Sequence, residues 1–213
     1  MISAEHWPLA LPIDTYVGQL WRKHRKRFMQ NLDRTTIPPS IRERFAGMTL
    51  HLLVLTEPYC EDSTQLVPVV WRLAQEVDGL ELRLLRQSEQ PELAVRFLAD
   101  AGHPAIPVFI LLDDQLDELG ALVERPPRVT AEMIAETRRF QDAHPDLRGI
   151  RRSYDRMPEE TRAVVKQHIA GWRDTQHELW TCCLLDDLAA IAENRTTKAS
   201  LLQVGERLTE YTP

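Results

Sequence analysis

The stretch 50–56, Leu-His-Leu-Leu-Val-Leu-Thr, constrains the fold of this chain more than any other. It is short, apolar at nearly every position, and followed at once by Glu57-Pro58-Tyr59-Cys60 and a helix-compatible segment. A run of that length with both side-chain faces apolar suits a strand covered on both sides, as in the interior of an α/β sheet. The pattern downstream continues the alternation. Residues 63–77 place Leu66, Val67, Val70, Leu73 and Val77 on one side of a helix, and Asp78-Gly79 supply a turn. Residues 80–84 alternate leucine with Glu81 and Arg83, a strand signal. A second helix is expected over 91–100, with Pro91 in its first turn and Gly102 beyond its end. Residues 108–112 read as another apolar strand, and 118–124 as its antiparallel return after Asp113-Asp114.

Both flanks read differently. Tyr16, Val17, Leu20, Trp21, His24 and Phe28 recur at helical spacing and predict one helix over 13–31. Pro39 suits the first turn of a short helix that Gly47 would end. Beyond Arg125-Pro126-Pro127 the chain reads as helical to its end, with Thr130 as the N-cap of a helix to about 143 and another helix from 158 through the 170s. The expected organisation is an N-terminal helical extension over 1–46, an α/β domain over 47–126 with a central mixed sheet flanked by helices, and a C-terminal helical extension over 127–213 packing on it. Bulk composition sets the compartment and excludes some partners. A net charge of −6 argues against nucleic acid or an anionic membrane surface. No apolar run approaches the roughly 20 residues a membrane span needs, and the N-terminus lacks the basic-then-apolar pattern of a secretory leader. Three cysteines, an odd number, make no disulfide framework, so a reducing cytoplasm is the expected location.

The chemistry concentrates in Thr56-Glu57-Pro58-Tyr59-Cys60-Glu61-Asp62-Ser63. A cysteine just after a strand and at the origin of a helix meets unpaired backbone N–H groups and the positive end of the helix dipole, both of which favour the nucleophilic thiolate. This stretch resembles the active-site segment of the thioredoxin superfamily, whose familiar form is Trp-Cys-Gly-Pro-Cys followed by a helix containing proline. Tyr59 takes the aromatic position, Cys60 that of the attacking thiol, and Ser63 that of the second cysteine. Pro68 matches the family's helix proline, and Ala105-Ile106-Pro107-Val108 matches the segment in which a cis proline packs beside the thiol. The resemblance spans about 47–126. Glu-Pro-Tyr-Cys-Glu-Asp-Ser, followed downstream by Glu124-Arg125-Pro126, most resembles a bacterial thioredoxin-like group with a Cys-x-Asp-x motif. It implies a thioredoxin-like fold and thiol–disulfide exchange with no cofactor. Tyr59, Ile106 and Pro107 would wall the substrate groove, and the substrate would be a disulfide on a protein or on a small thiol such as bacillithiol or glutathione.

Departures from the pattern narrow that expectation. Ser63 cannot close an internal disulfide, so the exchange left open is of monothiol type, with an external thiol resolving the mixed disulfide on Cys60. The Ser63 hydroxyl could hydrogen-bond the thiolate or simply cap the helix. Asp62 and Glu61 oppose the thiolate yet suit a helix N-terminus, so the direction of the Cys60 pKa is not legible. The position of the family's buried acid holds Val54, and Glu57 is the nearest strand-end carboxylate. Two other functions compete: a redox-inactive scaffold that binds a partner or a second copy through its helical extensions, and a sensor pairing Cys60 with Cys182 or Cys183. That vicinal pair could instead form its own strained disulfide or bind a soft metal with His177. The plainer reading is two small hydrophobes on an amphipathic helix with Leu179, Trp180, Leu184, Leu188 and Ile191. No metal is expected, because three candidate ligands without Cys-x-x-Cys spacing do not make a zinc site. Arg138, Arg139, Arg148, Arg151, Arg152 and Arg156 fit a solvated face interleaved with acids. Trp7, Trp21, Trp71 and Trp172 fit helix-core positions, and His103 is a candidate for the rim near Cys60.

Overall fold

A computed structural model of the chain describes residues 5–99 and 102–193. Its centre is a five-stranded sheet in the order β1-β3-β2-β4-β5, formed by β1 (Leu11–Pro12), β2 (Leu50–Thr56), β3 (Leu80–Arg86), β4 (Val108–Leu112) and β5 (Glu118–Val123). β2 lies parallel to β3 and antiparallel to β4, which pairs antiparallel with β5. The register puts Leu52 opposite Leu82 and Leu111, and Val54 opposite Leu84 and Phe109. The alternation of the pleat then divides the apolar run of β2 between two cores. Leu52 and Val54 join the large core on one face, while Leu53 and Leu55 join the smaller core on the other with Trp7, Leu93 and Phe97. Both faces of the central strands are therefore covered, as its sequence demands.

Helices cover the two faces unequally. The large core is built by α2 (Ile13–Gln19), α3 (Arg22–Arg34), α4 (Pro39–Phe45), α5 (Glu61–Glu76) and α9 (His177–Ala192). The small core is closed by α1 (His6–Leu9) and α6 (Pro91–Ala94). α7 (Pro127–Ala143) and α8 (Glu159–Thr175) enclose a satellite cluster of Phe140, Ile150, Met157 and Val165. No helix among the described residues is long and apolar enough to cross a membrane.

Local differences from the sequence reading have physical causes. The single helix expected over 13–31 is broken at Leu20 and Trp21, both extended, because Leu20 turns into the core while Trp21 turns out to solvent. Trp21 is 63% exposed, which corrects its expected core placement. The N-terminal segment also contributes β1, which pairs antiparallel with β3 and extends the sheet into the segment expected to be purely helical. The helix expected over 91–100 stops at Ala94. Phe97 is drawn into the small core, its carbonyl accepts from Ala105 N–H at 2.8 Å, and Leu98 bridges Pro104. These cross-chain bonds replace the helical ones. The far end of that expected helix, and the helical continuation expected over 194–213, lie outside the described residues. α7 starts at Pro127 with Pro126 as its N-cap, so Thr130 sits inside the helix rather than capping it.

The turn into β3 has one residue that tolerates no side chain. Gly79 has φ +84°, and an added Cβ would fall 2.5 Å from the Met48 carbonyl oxygen, while its own carbonyl accepts Leu50 N–H at 2.8 Å. Gly79→Ala therefore combines a left-handed φ with a backbone clash at the mouth of β2. A loss of about 2 kcal/mol or more is expected in denaturant unfolding, and an unchanged midpoint would refute the clash.

Candidate functional site

β2 carries the chain to Thr56, and a tight turn in which Cys60 N–H donates to the Glu57 carbonyl at 3.1 Å delivers Cys60 to the N-cap of α5. The sulfur occupies the place an N-cap oxygen normally takes, accepting Ser63 N–H at 3.4 Å. On its other side the thiol points to the Ile106 carbonyl at 3.7 Å, and the Ile106–Pro107 peptide is cis. Two contacts fix that loop: Gln87 Nε2 donates to Ala105 O at 2.9 Å, and Glu124 N–H donates to Pro107 O at 2.7 Å. Cys60 and Ser63 thus meet Ile106 and Pro107, 46 residues from Cys60 to Ile106 along the chain, at one end of the sheet.

The helix origin does not win the electrostatic contest. Burial, and then the Asp62 carboxylate, push the Cys60 pKa up, while the Ser63 hydroxyl and the N–H groups of Ser63 and Asp62 pull against them. At neutral pH the resting sulfur is mainly the thiol. This supplies the direction that sequence alone left open.

Asp62 is held by two arginines to which the sequence assigned no role. Arg125, just past β5, bonds it through Nη1, and Arg173 of α8 places Nη2 2.9 Å from Oδ1. The second contact is a charge pair without hydrogen-bond alignment, and Oδ1 accepts no hydrogen bond among the described residues. Glu61 is shared by Lys166 at 3.4 Å and Arg173 at 3.8 Å; against the cost of burial, these cations hold its pKa below the ordinary value. Both acids following the thiol are therefore tied to the C-terminal helices.

Ser63 has its own polar chain. Thr56 Oγ1 donates to Ser63 Oγ at 2.6 Å, Tyr16 OH lies 3.2 Å from Thr56 Oγ1, and the same phenol donates to the Glu57 carbonyl at 3.2 Å. With Thr56 as donor, the Ser63 proton is free to turn to the sulfur. Burial drives the Tyr16 pKa well above its usual value, so the phenol stays protonated and remains a donor. Tyr16 is marked by no motif and reads as an ordinary core-facing position, while Thr56 opens the motif stretch without any sign of this role. Glu57 is only 2% exposed, but its oxygens are committed elsewhere: Oε1 accepts Ser88 N–H at 2.6 Å and Oε2 lies 3.7 Å from Arg86 Nε. It joins the ends of β2 and β3.

Tyr59 is 54% exposed beside the thiol, and its ring lies 6.4 Å from that of Trp21. Trp21 in turn stands 6.0 Å from His24 at the rim of a cleft of about 310 Å³ between α3, α5 and α8.

Other candidates fall away from this centre. Cys182 is exposed and Cys183 half-buried against the large core; both are free thiols, with pKa values raised by burial and then, for Cys182, by Glu178 and Asp186. Among the described residues no hydrogen bond or disulfide joins either to Cys60, and no cluster of His, Cys, Asp or Glu is arranged to hold a metal. His177 lies buried between Thr35 and Gln65. His103 is exposed, and Arg139 and Arg151 pair with Glu136 and Asp142 on the surface.

A central strand delivering a cysteine to a helix N-cap opposite a cis proline, on a mixed sheet of this order, is the arrangement of a thioredoxin-like fold. A thioredoxin family model matches residues 11–141, well over half of the chain, and the protein belongs to that family. That span takes in β1 and most of α7 as well as the central strands. Among solved structures, a protein of unknown function from Pseudomonas aeruginosa is similar at 18% identity and TM-score 0.61, covering 92% of this chain and all of its own. An HIV epitope-scaffold is similar at 18% identity and TM-score 0.58, with 91% of this chain and 98% of its own covered. At such identities these likenesses speak for the fold alone. No curated protein matches the sequence.

Proposed function

We propose that this protein is a monothiol thiol–disulfide oxidoreductase acting through Cys60 in a Cys-x-x-Ser site. The observation that carries the reading is the sulfur itself, placed between the Ser63 N–H at 3.4 Å and the Ile106 carbonyl at 3.7 Å beside cis Pro107. The Cys60 thiolate attacks one sulfur of a disulfide R–S–S–R′; a Cys60–S–S–R bond forms, the S–S bond of the substrate breaks, and R′–S⁻ leaves and takes up a proton. A second, external thiol then attacks the mixed disulfide, freeing Cys60 and releasing a new disulfide. Ser63 N–H and hydroxyl donate to the thiolate and stabilise it both as nucleophile and as leaving group. Tyr59, Ile106 and Pro107 border the groove in which the substrate sulfur sits, and Asp62 sets the field. A reducing compartment suits such a site, because the external thiol pool there supplies the resolving reagent.

The raised Cys60 pKa gives the reading a pH signature. Below that pKa the thiolate fraction falls about tenfold per pH unit. In a Cys182→Ser, Cys183→Ser background, alkylation of Cys60 is expected to accelerate by about tenfold per unit from pH 7 to beyond 8.5. Mixed-disulfide capture of a model disulfide should follow the same profile and vanish in Cys60→Ser. A sulfur inert to both reagents up to pH 9.5 would overturn the proposal.

A further inference from the structure

We propose that the cleft between α3, α5 and α8 binds the carboxylate-bearing part of a small thiol or disulfide whose sulfur is presented to Cys60, an inference that deepens the exchange reading and rests on it. The cleft's volume of about 310 Å³ is of small-molecule size. Lys23, His24 and Arg27 enter it from α3, Glu61 and Thr64 from the first turns of α5, and Lys166 from α8. Three cations thus face one acid in a chain whose net charge is −6. Arg27 leans on Asp174 at 2.7 Å and Lys166 on Glu61 at 3.4 Å, while Lys23 has no ion pair among the described residues. A carboxylate entering here meets positive charge in a partly desolvated recess, where attraction exceeds that at an open surface.

Polar contacts tie this cleft to the main chain of Cys60. Thr64 Oγ1 donates to the Cys60 carbonyl at 2.9 Å and is met by His24 Nδ1 at 3.3 Å. Since Thr64 spends its proton on Cys60, His24 donates through Nδ1–H and leaves Nε2 as an unprotonated acceptor. Burial first, and then Lys23, Arg27 and Lys166 against the opposing pull of Glu61, lower the His24 pKa, so the ring is neutral at pH 7. From His24 the exposed rings of Trp21 and Tyr59 form a continuous rim to Cys60. A compound with its acidic end in the cleft and its apolar body along these rings would bring its sulfur to the helix origin.

The test uses full-length Cys60→Ser protein, in which binding is read without thiol chemistry. Oxidised glutathione, a carboxylate-rich disulfide, is titrated at pH 7 while the amides of residues 23–27, 61–64 and 163–170 and the His24 imidazole are followed by NMR. Saturable shifts confined to those residues are expected, with a rise in the His24 pKa on saturation. Affinity should fall about tenfold in Lys23→Gln/Lys166→Gln, whose side chains are exposed and whose loss leaves the fold intact. Cystamine, a cationic disulfide, should not bind. Absence of saturation, equal binding of cystamine, or binding indifferent to the double substitution overturns the assignment. Saturation by a sulfur-free glutamate-rich peptide in place of glutathione disulfide would overturn the small-thiol source and assign the cleft to polypeptide acids. If the cleft binds while Cys60 of the wild type stays inert, the exchange reading fails; if Cys60 reacts while the cleft stays empty, only this inference fails.

Discussion

Asp62→Asn is expected to make Cys60 a faster nucleophile and the protein a weaker fold. The substitution removes the carboxylate that, after burial, most raises the thiol's pKa, and it leaves the guanidinium groups of Arg125 and Arg173 in place. Both changes favour the thiolate. A drop of about one pKa unit multiplies the thiolate fraction about tenfold at pH 7, and the lower basicity of the sulfur takes back part of that, leaving alkylation roughly threefold faster. The cost appears in stability. Asp62 is buried and shared by two partly buried arginines, which among the described residues retain Glu124 at 3.4 Å and Glu61 at 3.8 Å as anionic neighbours. Breaking a buried pair of this kind costs about 3 kcal/mol, read as a lower denaturation midpoint at pH 7. Arg125→Gln should also destabilise but slow alkylation, because it leaves the carboxylate less neutralised. Equal alkylation rates in wild type and Asp62→Asn would refute this electrostatic account of the site.

The second large effect concerns acid. His177 is 8% exposed, and its ring is fixed as the neutral Nε2–H tautomer. Thr35 Oγ1 donates to the Asn31 carbonyl at 2.6 Å and so accepts from Nε2–H at 3.1 Å, while Gln65 Nε2 donates to Nδ1 at 3.2 Å. Burial, followed by the charge of Arg34 and against the pull of Asp174, pushes the His177 pKa down to about 4 from the ordinary 6.5. In the unfolded chain the imidazole protonates near 6.5, so between pH 6.5 and 4 the unfolded state binds more protons than the folded one. Stability is full above 6.5, declines through that window and levels off below 4, with a loss of about 3 kcal/mol from this group. Urea unfolding of wild type and His177→Gln at pH 7.5, 5.5 and 4.5 separates this effect from that of the carboxylates. The gap between the two proteins should narrow or reverse as the pH falls, and parallel curves would refute the assignment.

How much of this was legible in the sequence follows from the range of the interactions. The apolar run of β2, the helix period of α5 and the antiparallel return of β5 are local patterns, and each lies where it was expected. The pairing of Cys60 with Ile106-Pro107 was readable only because both belong to a motif of fixed spacing. The split between α2 and α3 was not, since helical periodicity runs through Leu20 and Trp21 and only the turn of Leu20 into the core ends it. Arg125 stood out in the sequence only as part of Glu124-Arg125-Pro126 and Arg173 not at all, because what gives them a role is the buried acid they meet, 63 residues away for Arg125. Tyr16 was hidden for the opposite reason: its spacing is that of a core residue, and its hydroxyl finds Thr56 only in three dimensions.

The clasp that α8 makes on the residue two after Cys60 ties the surroundings of this sulfur to a helix more than a hundred residues downstream. A fragment cut to residues 47–126 would lack Tyr16, Arg173 and the whole of β1. β3 would then present an open edge to solvent, the Ser63 relay would lose its far end, and Asp62 would be left with a single guanidinium. Reactivity measured on such a fragment is expected to differ, because the carboxylate that raises the Cys60 pKa would keep only one of its two cations.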